Sequence, residues 1–311
     1  MGKTAFVFPG QGAQYQGMGK DFYETYPVFR AVFEKASKAA GMDVKALCFE
    51  EPEKIHITEY TQTALLAVSA GILAVLKEEG ISSSANAGLS LGEYAALIAS
   101  GVLKEEDAFW IVKNRGKFMQ EAMPHGGAMA AVLGLEGEVI RNICKETKGI
   151  VSVANDNCPG QIVITGEESA VQAASEELKK AGARRVLPLK VSGPFHSALM
   201  EKASRQLEEI LVPIEIGDIQ IPYITNVTGD YVTKKEQVKD ILVRQVSSPV
   251  LWRQGVERLL ADGVTLFVEI GPGKTLTNFL KKIDPKANGI HIETPADLTA
   301  ALPIIKEEAG C

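Results

Sequence analysis

The stretch AGLSLGEYAAL at 87–97 constrains the chain more than any other. Ser90 stands between Gly88 and Gly92. A polar run of small residues (82–87) comes before it, and Glu93–Ser100 follows with helical spacing of its apolar positions. Glycine on both flanks lets a helix begin close against the preceding backbone, with no Cβ atoms in the way. The result is a sharp strand–turn–helix that exposes the serine and places it at the free N–H groups of a helix start. Ser90 is therefore a candidate nucleophile, although a glycine/serine turn without chemistry fits the same five residues.

Around this turn the pattern is of two kinds. Ala5–Phe8 reads as a buried strand stopped by Pro9-Gly10, and helical stretches follow at 17–40, 59–79 and 104–122. Between Gly126-Gly127 and Gly193-Pro194 the order changes to strand 128–133, helix 138–147, strands 151–155 and 161–165, helix 169–181 and strand 185–191. That βαββαβ order is the ferredoxin-like unit. Helix 198–211, strand 221–225, helices 235–246 and 252–262, and strand 265–270 return to the first pattern. The expected fold is α/β. A large α/β-hydrolase-like domain with a parallel sheet core takes residues 1–125 and 192–311, and a small ferredoxin-like domain is inserted at 126–191.

A net charge of −6 argues against a nucleic-acid or anionic-membrane partner. The longest apolar run, Ala64–Leu76, is interrupted by Ser69 and Gly71 and reads as a buried helix rather than a membrane span. No secretory signal is read at the start, and Cys48, Cys144, Cys158 and Cys311 lack C-x-x-C spacing. Reduced thiols and a cytoplasmic location are expected. Two loops look superficially like phosphate-binding loops. The one at 10–15 fails the dinucleotide pattern at Tyr15, and GPGKT at 271–275 has Val268 where a P-loop needs glycine.

A serine nucleophile needs a base. His56 sits in a charged loop, His125 in a Pro-His-Gly-Gly link, and His291 in a strand-like segment near the C-terminus. His196, in GPFHS, falls where the chain returns from the small unit to the large one, a place that often lines a cleft. A hydrolase-type triad would add an acid, with Asp107 and Asp156 as candidates. Asp107 looks exposed beside Glu105 and Glu106, and Asp156 reads as a loop residue of the small unit. A backbone carbonyl can orient the imidazole instead.

FPGQGAQ (8–14), GLSLGEY (88–94), KNRGKFMQ (113–120), GPFHS (193–197), ITNVTG (224–229), RQVSSPVLW (244–252) and EIGPGKTL (269–276) run in this order along nearly the whole chain. Together they resemble the malonyl-CoA:acyl carrier protein transacylases of fatty-acid synthesis. The resemblance implies that Ser90 is acylated, that His196 activates it, and that the backbone carbonyl of Gln245 orients the histidine. It implies an oxyanion hole from the backbone N–H groups of Gln11 and Leu91. It gives Arg115 the malonyl carboxylate to hold, where the residues alone suggest an exposed arginine beside Lys113 and Lys117. It makes Phe195 the ring that disfavours branched acyl groups. Most members carry histidine before the serine. Leu89 stands there in this chain, which leaves Arg115 as the main anchor.

The implied reaction is ping-pong transfer of malonyl from malonyl-CoA to the phosphopantetheine thiol of acyl carrier protein, by a monomer without metal or cofactor. A trans-acting acyltransferase of a polyketide synthase would share this chemistry. A serine thioesterase or a non-catalytic carrier-binding protein are readings of other classes.

Overall fold

The computed structural model describes residues 2–310, so Cys311 lies outside them; Cys48, Cys144 and Cys158 are free and buried. The first strand, β1 (Lys3–Phe8), has five buried residues in a row, as a central strand of a parallel sheet requires. The helix expected over 17–40 is two helices, α1 (Lys20–Thr25) and α2 (Pro27–Ala40). Tyr26 between them is extended, at φ −110° and ψ 118°, because the ring of a following proline disfavours the helical region. Pro27 then starts α2, and Gly41 ends it in the left-handed region. A short helix, α3 (Val44–Phe49), follows with Asp43 as its cap.

The long helix α4 (Thr58–Glu78) is buried along most of its length, from Thr61 to Leu73 without interruption. It is long and apolar enough to cross a membrane, yet packing inside the protein accounts for its composition. The chain continues through β2 (Ala85–Gly88), α5 (Gly92–Ala99) and α6 (Glu105–Ala122).

Next comes an antiparallel unit: β3 (Gly127–Leu133), α7 (Gly137–Glu146), β4 (Val151–Cys158), β5 (Gln161–Glu167), α8 (Glu168–Lys180) and β6 (Arg185–Pro188). Its strands lie in the order β4-β5-β3-β6, and every pairing is antiparallel. The strand expected to end at 155 runs on to Cys158, with register shifts between Val153 and Asn155 and between Asp156 and Cys158. Asp156 is therefore a strand residue, not a loop residue.

The rest of the chain forms α9 (Glu201–Leu211), β7 (Tyr223–Ile224), α10 (Val238–Ser247), α11 (Trp252–Ala261), β8 (Val264–Ile270), α12 (Thr275–Ile283), β9 (Asn288–Ile292) and α13 (Pro295–Ala309). Helices α12 and α13 have no counterpart in the sequence reading, and β9 contains the strand-like segment read around His291. The second sheet is parallel throughout, in the order β7-β2-β1-β8-β9. The chain is thus mixed α/β with one parallel and one antiparallel sheet. The antiparallel sheet is bridged to the segment between α10 and α11 through Val250, whose N–H donates to the Ala154 carbonyl at 2.8 Å and whose carbonyl accepts the Asp156 N–H at 2.9 Å.

Close approach at the end of β2 depends on glycine. A Cβ on Gly88 would stand 1.9 Å from the Gly92 carbonyl carbon, and one on Gly92 would stand 2.1 Å from the Phe8 carbonyl oxygen. Both obstacles are backbone and cannot rotate away. Gly92→Ala should lower the stability of the whole protein by about 1–3 kcal/mol or more, the usual cost of overpacking. Chemical denaturation measures this, and an unchanged midpoint would mean that α5 does not start against β1.

Candidate active site

The carboxyl ends of β1 and β2 deliver Gln11 and Ser90 to one side of the parallel sheet, where ligands of open α/β sheets bind. Ser90 adopts φ 52° and His196 φ 60°, the two positive φ values of non-glycine residues among the described residues. Such backbone costs about 1–3 kcal/mol and persists where the surroundings enforce it. At Ser90 the enforcement is visible. Its N–H donates to Asn226 Oδ1 at 2.6 Å, and Asn226 Nδ2 donates to the Gly88 carbonyl at 2.7 Å. At His196 the turn is closed by Ser197, whose hydroxyl donates to the Pro194 carbonyl at 2.6 Å and accepts from the Leu199 N–H.

These turns bring Ser90 Oγ to 2.7 Å from His196 Nε2. His196 Nδ1 lies 2.9 Å from the backbone carbonyl of Gln245, in the last turn of α10. A carbonyl only accepts, so Nδ1 carries the proton and Nε2 is left free to take one from Ser90. Burial pulls the His196 pKa down from 6.5 to about 4; the positive Arg115 adds to the shift, and the bond to Gln245 opposes it. The imidazole is thus neutral, the form a general base needs.

The other expected residues are placed as follows. Gln11, Leu91 and Phe195 line a cleft of about 250 Å³ with Ser90 and His196. The backbone N–H groups of Gln11 and Leu91 make no hydrogen bond to a described residue. Leu89 lies on the cleft wall, among apolar residues that include Met129 and Phe279. Arg115 is not an exposed helix residue. It is 1% exposed, with Nη1 donating to Gln62 Oε1 at 2.7 Å and Nη2 reaching Gln245 Oε1 at 3.0 Å and Ser90 Oγ at 3.2 Å. Burial lowers its pKa, opposed by Tyr94 and Glu93.

The candidate acids do not reach the histidine. Asp107 sits in the first turn of α6. Asp156 is buried but binds Gln254 at 2.8 Å and Arg253 at 3.3 Å, tying β4 to α11. His56 and His125 are exposed, and His291 lies in β9 near Asp297. Three residues were missed by the sequence reading: Glu93, Gln62 and Asn226. Glu93 had a visible signal, a carboxylate in the otherwise apolar helix GEYAALIA. It is fully buried, with Oε2 accepting from Gln245 Nε2 at 2.6 Å and from the Asn226 N–H at 3.0 Å. Burial raises its pKa, and these bonds oppose the rise.

A family model described as an acyl transferase domain matches residues 5–294. The chain belongs to this family. It is 44% identical to the malonyl CoA-acyl carrier protein transacylase of Bacillus subtilis, over 99% of each chain. It is 42% identical to that of Escherichia coli, over 98% of this chain and all of the relative. Among solved structures it is similar to MCAT from Streptococcus pneumoniae, with a TM-score of 0.94 and 46% identity over 97% of this chain and 100% of that one. It is also similar to a malonyl-transacylase in complex with its type II PKS acyl-carrier protein, with a TM-score of 0.95 and 43% identity over 97% and 99% of the two chains. The likeness to these transacylases therefore covers nearly the whole chain.

The depressed histidine has a measurable consequence. In the unfolded chain His196 takes a proton near pH 6.5, and in the folded one only near 4. Between these values the unfolded state binds more protons, so stability is full above 6.5 and falls as pH drops toward 4, by about 3 kcal/mol. His196→Gln has no such proton to bind. The difference in unfolding free energy between wild type and His196→Gln should shrink by about that amount from pH 7 to 4. A constant difference would show an ordinary histidine.

Proposed function

We propose that the protein moves a malonyl group from malonyl-CoA to the phosphopantetheine thiol of acyl carrier protein, through a malonyl ester on Ser90. The observation that carries this reading is the hydrogen-bonded series Ser90–His196–Gln245 in the cleft. Relatives above 40% identity that bear the transacylase name support it.

Ser90 Oγ attacks the thioester carbonyl while His196 Nε2 takes its proton. The bond from Ser90 oxygen to the acyl carbon forms, and the tetrahedral oxyanion is held by the N–H groups of Gln11 and Leu91. The carbon–sulfur bond then breaks, and His196 returns the proton to the departing coenzyme A thiolate. The carrier's thiol enters and the same steps run backward. Thiol replaces thiol, so the balance closes without metal or cofactor. Arg115 holds the free carboxylate of the malonyl group, which a guanidinium pairs with bidentately. Phe195 narrows the wall against branched acyl groups.

The rest of the organisation follows the same reading. Residues 126–191 are a ferredoxin-like domain, in keeping with the strand order β4-β5-β3-β6, inserted in an α/β-hydrolase-like domain of residues 1–125 and 192–311. The protein works as a cytoplasmic monomer. Fatty-acid synthesis is the pathway that the motif resemblance implies. The complex with a type II PKS carrier gives the polyketide alternative its support, and assays with both kinds of carrier separate the two. A thioesterase has less support, because His196 is oriented by a carbonyl and not by a carboxylate.

Intact mass after incubation with malonyl-CoA should show one malonyl adduct on wild type, removed by added acyl carrier protein, and none on Ser90→Ala. His196→Ala should acylate about 10²–10⁴-fold more slowly. An adduct that persists in Ser90→Ala would place the nucleophile elsewhere, and release of free malonate would favour hydrolysis.

Arg115→Ala should lose malonyl transfer far more than acetyl transfer. Removing one partner of a buried charged pair costs about 2–5 kcal/mol, and acetyl-CoA never makes that pair. Arg115→Lys should recover only part, as a point charge lacks the planar fork. The measurement is kcat/KM for both thioesters. Equal proportional losses would remove the carboxylate-anchor role.

A further inference from the structure

We infer that Glu93 is a positioning residue that fixes which way the side-chain amide of Gln245 points and, through it, where Arg115 stands at Ser90. The inference rests on the malonyl-transfer reading above. It starts from the symmetry of the amide. The two ends of a glutamine side chain have nearly the same shape, so packing does not choose between them; hydrogen-bond partners do. Gln245 has partners on both ends. Oε1 accepts from Arg115 Nη2 at 3.0 Å, while Nε2 donates to Glu93 Oε2 at 2.6 Å and to the Ser90 carbonyl at 3.1 Å.

Arg115 is donor-only, and an ionised Glu93 is acceptor-only. Facing each other across one amide, they admit a single orientation. The other acceptors of the guanidinium are neutral as well, the Gln62 amide and the Ser90 hydroxyl. The buried carboxyl group joined to this set is Glu93, which accepts from Gln245 at Oε2. The Asn226 N–H holds the same carboxylate oxygen at 3.0 Å, so it is not free to turn aside. Bonds that stabilise the ionised form and the nearby Arg115 charge work against the desolvation of Glu93.

A neutral amide at position 93 weakens the constraint, which then rests on the Ser90 carbonyl, 3.1 Å from Gln245 Nε2. Its own NH₂ group can donate to a flipped Gln245, which then turns its NH₂ toward Arg115. Donor meets donor, and Arg115 leaves its place. The flip gives up the bond from Nε2 to the Ser90 carbonyl, but the Gln245 backbone carbonyl still orients His196 and Asn226 still holds the Ser90 turn. The effect is thus selective for substrates that need Arg115.

The test compares wild type, Glu93→Gln and Glu93→Asp with three reagents: malonyl-CoA, acetyl-CoA and a small fluorophosphonate that reports Ser90 nucleophilicity alone. Glu93→Gln should lower kcat/KM for malonyl-CoA by about 10–100-fold, the range of a hydrogen bond to a charged group. Acetyl-CoA and fluorophosphonate rates should change no more than about threefold. Glu93→Asp, charged but shorter, should show the same selective loss at smaller size. If Glu93→Gln does not fold, Glu93→Asp alone carries the comparison and must show the malonyl-selective loss. Equal losses with all three reagents, or no loss with malonyl-CoA, overturn the inference. If wild type is not malonylated at Ser90, the functional reading fails first, before any variant is compared.

Discussion

Asn226 grips the Ser90 turn at two points, accepting the serine N–H and donating to the Gly88 carbonyl. The side chain thereby takes the place of one more residue of strand pairing beyond β7, the neighbour of β2. That grip helps to offset the left-handed backbone at Ser90. The turn aims Oγ at His196 and leaves the Leu91 N–H unbonded. It also turns the Ser90 carbonyl toward Gln245. The same residue's own N–H fixes Glu93, so the nucleophile and the buried charges share one support.

Dehydration runs through the electrostatics of the cleft. His196, Glu93, Tyr94 and Arg115 are all shifted first by burial, with charges and hydrogen bonds as corrections. The direction in each case favours the neutral form. The histidine gains from it, since a neutral imidazole is the working base. For the arginine it is opposed by Tyr94 and then Glu93, and for the glutamate by hydrogen bonds from the Asn226 N–H and the Gln245 amide and by the Arg115 charge. The Tyr94 ring lies under the guanidinium, its centroid 5.6 Å from Cζ, and adds a face of negative potential without a competing charge.

What could be read in the sequence was local. Gly88 and Gly92 mark a close approach by their identity alone, and Pro194 and Gly193 mark the return that carries His196. β2 escaped because its sequence, ANAG, holds no β-branched or aromatic residue; it is a strand through burial between β1 and β7. The break at Tyr26 was available in principle, as Pro27 follows it. The part of Gln245 lay out of reach of residue-by-residue reasoning, because a main-chain carbonyl leaves no mark on the side chain that carries it. Arg115 among lysines reads as solvated, and only tertiary packing, against Gln62 of α4, Tyr94 of α5 and Gln245 of α10, makes it a buried residue. Glu93 was visible as an oddity, but its partners are more than 130 positions away.

The bridge through Val250 bears on how freely members of this family can exchange parts. The antiparallel unit looks like a detachable module, with glycines at both joints. Yet its strand β4 pairs with Val250, and Asp156 is anchored to Arg253 and Gln254, on the same stretch of chain that begins with the histidine's orienting carbonyl. A graft of residues 126–191 from another member would therefore meet a seam it was not cut for. The natural unit of exchange is discontinuous: the small sheet together with residues 245–254, inherited as a pair.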